Sequence, residues 1–253
     1  MGKKIAIVNQ KGGVGKSTTA VNLAACLAEM GQQVLLIDVD PQGNATSGIG
    51  IEKSKLDISI YDVMIDEIAV GDGILSTEIE GFYVLPANID LAGAEIELVS
   101  MISRESRLKK ITSQIDEDYD YILFDCPPSL GLLTLNALTA ADGILVPIQC
   151  EYYALEGLGQ LMNTVELVQK NLNPELEIEG VLLTMYDART NLSQQVIDEV
   201  KKYFNDKVYN TIIPRNVRLS EAPSFGKPIT EYDKSSRGAV AYRELAKEVT
   251  SNV

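Results

Sequence analysis

The chain has 253 residues, 45% of them hydrophobic and 23% charged, with a formal net charge of −14. That composition suits a globule with a full core, and the charge argues against a general nucleic-acid binder. With no histidine there is no Ser–His or Cys–His nucleophile and no histidine base, and three widely spaced cysteines alone do not make a zinc site.

No apolar run approaches the ~18 residues of a membrane span, and the N-terminus runs straight into a strand, so neither a membrane segment nor a signal peptide is expected. Cys26, Cys126 and Cys150 read as reduced thiols in or near the core of a cytoplasmic protein. The charge is uneven. Residues 1–184 carry 11 Lys+Arg against 27 Asp+Glu, a net of −16, whereas residues 185–253 carry 11 against 9, a net of +2. Two kinds of surface on one molecule are therefore expected.

In chain order, Ile5–Val8 reads as a buried strand and Gly12–Gly13–Val14–Gly15 as a tight turn. Lys16–Met30 reads as a helix with Ala20, Leu23, Ala24, Leu27 and Ala28 on one face, stopped by Gly31. Strand, glycine turn and helix are the setting of a phosphate-binding loop, where backbone N–H groups and the helix N-terminus face an anion. Lys16 is placed to reach the β- and γ-phosphates of ATP, and the Ser17 hydroxyl to hold Mg²⁺. The usual spacing G-x-x-x-x-G-K-[ST] calls for a first glycine where this chain has Gln10, followed by Lys11. A second ammonium in the loop adds positive charge where a transition state is most anionic; the plain alternative is a solvated loop lysine.

Gln33–Asp38 is a second buried strand and runs into Asp38-Val39-Asp40-Pro41-Gln42-Gly43-Asn44. Carboxylates at the C-terminal end of a parallel strand lie where ligands bind, and the loop after them suits a segment that moves with the γ-phosphate. The ordinary use of such aspartates is to cap a turn. Residues 45–80 offer only a short helix around Ile58–Ile65. Phe82–Pro86 is a strand, and Leu91–Ile102 and Arg104–Ile115 are helices. Tyr121–Asp125 is a strand closing in an aspartate, the usual second element of a Mg²⁺ site downstream of a phosphate loop.

Helix Leu132–Ala141, strand Gly143–Ile148, helix Ala154–Lys170, strand Ile178–Met185 and helix Leu192–Phe204 follow. A strand then ends at Pro214, and a helix Ser236–Val249 closes the chain with Val240, Leu245 and Val249 as its core stripe. The alternation predicts an α/β fold: a single-domain doubly wound, mostly parallel sheet flanked by helices, spanning residues 1–253 without repeat or linker. Asn216 follows Pro214 in a loop; its amide suits an adenine edge, or merely a turn.

Four motifs in this order, KGGVGKST (11–18), DVDPQGN (38–44), FDCPPS (124–129) and IPRNVRLSEAPSFGKPI (213–229), resemble the ParA/Soj partition ATPases of the deviant Walker A group, over essentially the whole chain. The resemblance is to the short chromosomal type, without an N-terminal helix-turn-helix extension. It implies a homodimer of ATP-bound subunits with the nucleotide between them. Lys11 would contact the partner's nucleotide, and Gly12 and Gly13 would let the two loops approach. Val14, Gly15, Lys16, Ser17 and Thr18 would hold phosphates and Mg²⁺. Asp40 would position or activate the attacking water, with Asp38 and Asp125 near the metal, and Pro214 and Asn216 would contact adenine. The dimer would bind DNA without sequence preference, placing the protein on the nucleoid, until a ParB-type partner stimulates slow hydrolysis.

Arg189 and Arg218 are the candidate DNA contacts; alternatively they are solvated or pair with Asp187 and Glu221. A MinD-like membrane ATPase shares the loop chemistry but needs a basic amphipathic C-terminal helix, which Glu244–Val253 lacks. An electron carrier like the nitrogenase iron protein needs paired cluster cysteines, and Cys126 has no companion. A positioner of another cargo would share fold and chemistry.

Overall fold

The computed structural model describes residues 2–151, 155 and 157–251. Its strands are β1 (Lys3–Ile7), β2 (Val34–Asp38), β3 (Leu75–Ser76), β4 (Phe82–Leu85), β5 (Tyr121–Asp125), β6 (Gly143–Gln149), β7 (Glu177–Tyr186) and β8 (Val208–Pro214). They form one sheet in the order β3-β4-β2-β5-β1-β6-β7-β8. Every neighbouring pair is parallel except the short edge pair β3–β4. The mostly parallel α/β sheet expected from the alternation is the one observed.

The helices are α1 (Lys16–Glu29), α2 (Asn44–Gly48), α3 (Ile60–Ile65), α4 (Val70–Gly73), α5 (Leu91–Glu97), α6 (Arg107–Thr112), α7 (Leu132–Ala140), α8 (Leu158–Asn171), α9 (Asn191–Phe204), α10 (Val217–Glu221), α11 (Ile229–Tyr232) and α12 (Arg237–Ser251). Alternation along each strand sorts the core into two layers. Ile5, Ile7, Val34 and Leu36 pack with α1 and α12, while Ala6, Val8, Leu35 and Ile37 pack with α3, α5, α6, α7, α8 and α9. Both faces are covered, which is why β2 and β5 are buried at every residue and read as continuous apolar runs. On the β8 edge, the Glu248 carboxylate of α12 accepts from the backbone N–H groups of Asn210 and Thr211 at 2.9 and 2.8 Å, capping an otherwise open ladder.

Some expectations are corrected. Val240 is 51% exposed, and the buried stripe of α12 is Ala239, Tyr242, Leu245, Ala246 and Val249. The helical period that buries Leu245 and Val249 turns position 240 outward. The helix expected from Arg104 begins at Arg107, because the Asn136 side chain donates to Arg104 C=O at 2.7 Å and accepts from Leu108 N–H at 3.1 Å, ending the turn before it. The helix expected over Leu91–Ile102 is α5 followed by a 3₁₀ turn over Leu98–Ser100. The segment near residue 154, expected to open α8, lies outside the described residues apart from Leu155 and Gly157.

The topology fixes where a ligand goes. β1 sits between β5 and β6; the chain first builds outward on one side of it and later on the other. The loop after β1 therefore opens at the point where strand order reverses, the crevice where parallel α/β sheets bind ligands.

Candidate functional site

The loop after β1 is held at both ends and in the middle. The Asn9 side chain donates to Pro147 C=O on β6 at 2.7 Å and accepts from Lys11 N–H at 2.9 Å. The buried Thr184 hydroxyl on β7 donates to Val14 C=O at 2.9 Å. Gly13 and Gly15 have φ of +76° and +93°, a left-handed backbone that favours glycine, and Gly15 leads directly into α1. Gly12 and Gly13 are exposed, and a Cβ on either would meet nothing within 4 Å. The carbonyls of Lys11, Val14 and Gly15 accept from Lys16, Thr184 and Thr19, and the loop leads into the positive end of α1, where an anion is favoured.

Lys16 is only 7% exposed, and its Nζ donates to Lys11 C=O at 3.2 Å, folding the ammonium back over the loop. Burial lowers its pKa, and the Asp125 carboxylate is the largest opposing influence. Asp125, at the end of β5, is fully buried, and neither carboxylate oxygen has a hydrogen-bond partner meeting ordinary geometry. Burial and then the charge of Asp38 raise its pKa well above the usual carboxylate range, against the pull of the Ser17 hydroxyl and Lys16. A carboxylate left unpartnered beside Ser17 and Lys16 is the donor set a hydrated Mg²⁺ needs.

The other two aspartates are bonded differently. Asp38, also fully buried, accepts from Thr46 N–H and Oγ1 at 2.8 and 2.7 Å and from Asp40 N–H at 3.2 Å. Burial raises it to about 6. Thr46 Oγ1 also accepts from Ala87 N–H at 3.0 Å, so Asp38 works chiefly as a staple that ties α2 and its preceding loop to the sheet. Asp40 is 6% exposed; its Oδ1 accepts from Gln42 N–H at 2.9 Å, and it lines the crevice.

The crevice comprises two adjoining cavities. One of about 520 Å³ is lined by Gly12, Gly13, Gly15, Lys16, Ser17 and Thr18 on one side and by Asp40, Asn44 and Lys227 on others. A second of about 410 Å³ is lined by Thr184, Ile213, Pro214, Asn216, Val217 and Tyr242. Pro214 and Asn216 thus face the same crevice as the phosphate loop although some 200 positions separate them. Asn216 Oδ1 accepts from Arg218 N–H at 2.8 Å and caps α10, so one acceptor site is used and the amide NH₂ is left for a ligand.

The family model described as an AAA domain matches residues 2–178. Over 252 residues, all of both chains, the sequence is 67% identical to the sporulation initiation inhibitor protein Soj of Bacillus subtilis. It is 53% identical to the chromosome partitioning protein ParA of Myxococcus xanthus, covering 98% of this chain and 88% of that one. This chain belongs to the ParA/Soj family of chromosome-partitioning ATPases. Among solved structures, the cobyrinic acid a,c-diamide synthase of Mycobacterium smegmatis with bound ATP analog and magnesium is 41% identical, with a TM-score of 0.88 over 99% of this chain and 95% of that one. The cell division ATPase MinD of Pyrococcus furiosus is more distant, at 28% identity and a TM-score of 0.82 over 100% of each chain.

In this ParA/Soj chain one candidate DNA residue, Arg189, lies in the turn between β7 and α9, and the other, Arg218, in the arm of short helices after β8 that includes α10 and α11. Arg189 is 86% exposed and bonds Asp187 through two nitrogens at 2.9 and 2.7 Å. Arg218 bonds Glu221 at 2.9 Å and approaches Asp233 at 3.5 Å. Both are therefore paired as the alternative sequence reading allowed. Cys126 is fully buried and its thiol is pushed far up by burial, so it presents no thiolate at the surface.

Sequence reasoning missed several contributors. Asn9, Thr46 and Thr184 fix the loops through side chain–backbone bonds, and Asn22 of α1 accepts from Ile229 N–H at 2.6 Å, fastening the arm to the phosphate helix. Lys227 lines the larger cavity. Only Lys227 carried a signal, a lysine inside a motif already noted.

Proposed function

We propose that the chain is a single-domain Mg²⁺-dependent ATP hydrolase that works as a ParA-type segregation switch. The observation that carries this reading is the buried, unpartnered Asp125 carboxylate beside Ser17 and Lys16 at the mouth of a phosphate loop. Gly12, Gly13, Val14, Gly15 and Thr18 bind phosphate oxygens through backbone N–H groups. Lys16 swings from Lys11 C=O to the β- and γ-phosphates. Ser17, Asp38 and Asp125 hold Mg²⁺ directly or through water, and the ion supplies charge neutralisation across the phosphates. Asp40, oriented by Gln42 N–H, positions the attacking water and draws on its proton. Pro214 and Asn216 take the adenine. Without a stronger base, basal turnover is slow.

Dimerisation is supported by Gly12. Its φ is not left-handed and a Cβ there would clash with nothing, so this chain's own packing gives no reason for glycine; a second loop approaching in the ATP-bound homodimer does. Lys11 then reaches the partner's nucleotide. The dimer binds DNA non-specifically through Arg189 and Arg218, and a ParB-type protein with a basic segment stimulates hydrolysis and releases it. Its place is the cytoplasm, on the nucleoid. A MinD-like membrane role is less well supported: among the described residues no helix is long and apolar enough to cross a membrane, and α12 spends its apolar stripe on α1 and the sheet. The last two residues of the C-terminal stretch weighed for membrane binding, 252 and 253, lie outside the described residues.

The test is turnover of ATP by the purified chain with and without Mg²⁺, DNA and the neighbouring ParB-type protein, with gel filtration in ATP. Expected are Mg²⁺-dependent slow hydrolysis, an ATP-dependent dimer, and acceleration by the partner that weakens at high salt. No turnover under any of these conditions sinks the hydrolase reading, and turnover that the partner leaves unchanged points to another cargo.

A further inference from the structure

The last turn of β7 carries a backbone anomaly at the centre of the crevice. Met185 has φ +54°, a left-handed conformation that costs a residue with a side chain free energy and is seldom kept without reason. It interrupts the pairing of β7 with β8, whose register shifts between Leu183 and Tyr186. The residues on either side are clamped. Thr184 donates its hydroxyl to Val14 C=O at 2.9 Å and accepts at its own C=O from Cys150 N–H at 2.9 Å. Tyr186 C=O accepts from Arg215 N–H at 2.9 Å. One clamp fixes the phosphate loop and the other the loop bearing Asn216, so Met185 is forced into the kink between them.

That kink determines where the side chain goes. The phosphate cavity and the second cavity share four lining residues: Gly15, Thr18, Met185 and Pro223. Gly15 and Thr18 belong to the phosphate loop and α1, so Met185 and Pro223 are the apolar walls of the neck. A ligand with phosphates in one cavity and a base in the other must pass its sugar through that neck. A flexible thioether adapts to such a surface.

We infer that Met185 is the ribose-seating residue of this site, packing its thioether on the sugar, and that its left-handed backbone is strain kept for this contact. The inference rests on the nucleotide reading above. Met185→Ala removes the side chain and keeps the strain; Met185→Gly removes both. The full-length chain and both variants are titrated calorimetrically with Mg²⁺–ATP and with Mg²⁺–tripolyphosphate, which has the phosphates without the nucleoside, and are melted without ligand. Both variants should bind ATP about tenfold more weakly, the scale of losing one buried apolar side chain, and bind tripolyphosphate like the parent. The glycine variant should melt about 2–4 °C above the alanine variant. Unchanged ATP affinity in the variants, a parallel loss for tripolyphosphate, or a glycine variant no more stable than alanine would each overturn the role of Met185 while leaving the nucleotide site standing. A parent chain that binds neither ligand overturns the nucleotide reading and this inference together.

Discussion

The two ends of the crevice are made from opposite materials. At the phosphate end, Lys16, Asp38, Asp40 and Asp125 are all less than a tenth exposed, and each loop is fixed by bonds to the sheet. Around the base end the charged groups stand in solvent on carboxylate partners: Arg189 in the turn after β7, Arg215 in the turn after β8 and Arg218 in α10. Buried charge on fixed loops preorganises the site, so that little beyond the Lys16 ammonium has to move when phosphate arrives. Exposed pairs are weak and screened, so a surface built from them trades partners easily. The two stretches of sequence differ likewise, net −16 over residues 1–184 and +2 over residues 185–253. Under the proposed function, one molecule would thus combine a fixed hydrolytic centre with a surface able to bind and release an anionic polymer.

The strongest way to break this comparison is at the phosphate end. Lys16→Ala should abolish nucleotide binding, a loss of ~100-fold or more, because the polyphosphate loses its main charged partner. Lys11→Ala should keep some binding yet lose the ATP-dependent dimer and hydrolysis; a normal dimer on gel filtration would end its role across the interface. Next in size is Asp40→Ala. It should bind ATP and dimerise but hydrolyse ~100-fold more slowly or worse, leaving a trapped dimer. Parental turnover would assign the water to another group.

At the arm the expected effect is confined to DNA. Arg189→Glu or Arg218→Glu should abolish DNA binding and leave ATP-dependent dimerisation intact. In the parent, a phosphate must draw each arginine from Asp187 or Glu221, so affinity should fall steeply with salt and ignore sequence. Asp187 is held well below the usual carboxylate range by its bonds to Arg189, so acidification within the working range does not release that arginine. Normal DNA binding by both reversals in ATP would move the patch elsewhere.

How much of this could be read beforehand depended on the range of the interactions. β2 and β5 were legible because burial on both faces writes them as unbroken apolar runs ending in aspartate, and β1 as a short apolar run ahead of a glycine turn. Lys16, Asp40 and Asp125 stood out because a glycine loop and carboxylates at parallel strand ends mark ligand-facing positions. Thr184 was not, since its one telling bond spans 170 positions and nothing local distinguishes it from any strand threonine. Asp38 was legible as a carboxylate at a strand end, but its bonds to Thr46, which make it a staple, are visible only once α2 is folded. Of the short elements between residues 44 and 76, α3 was read as the helix around Ile58–Ile65, while α2, α4 and β3 escaped because they are too brief to show a period. Val240 was misread because a lone valine on an amphipathic helix says less about its inner face than Tyr242 and Ala246 do together.

The smallest effect expected concerns the stability cost of the centre. Burial holds Asp38 up at about 6, against an ordinary 3.8, and Asp125 higher than the usual range. Between 3.8 and those raised values the folded chain holds more protons than the unfolded one. Ligand-free stability should therefore rise as pH falls from 7 towards 5, and be lost as pH climbs through the folded values. Asp125→Asn removes a fully buried carboxylate whose burial outweighs the pull of Ser17 and Lys16. The variant without ligand should melt about 2–4 °C above the parent at pH 7, with a flatter dependence on pH. Added Mg²⁺ should no longer tighten its binding of ATP, because the carboxylate that would hold the hydrated ion is gone. A variant that melts below the parent and keeps its Mg²⁺ dependence would make Asp125 a structural residue and move the metal to Asp38 and Asp40.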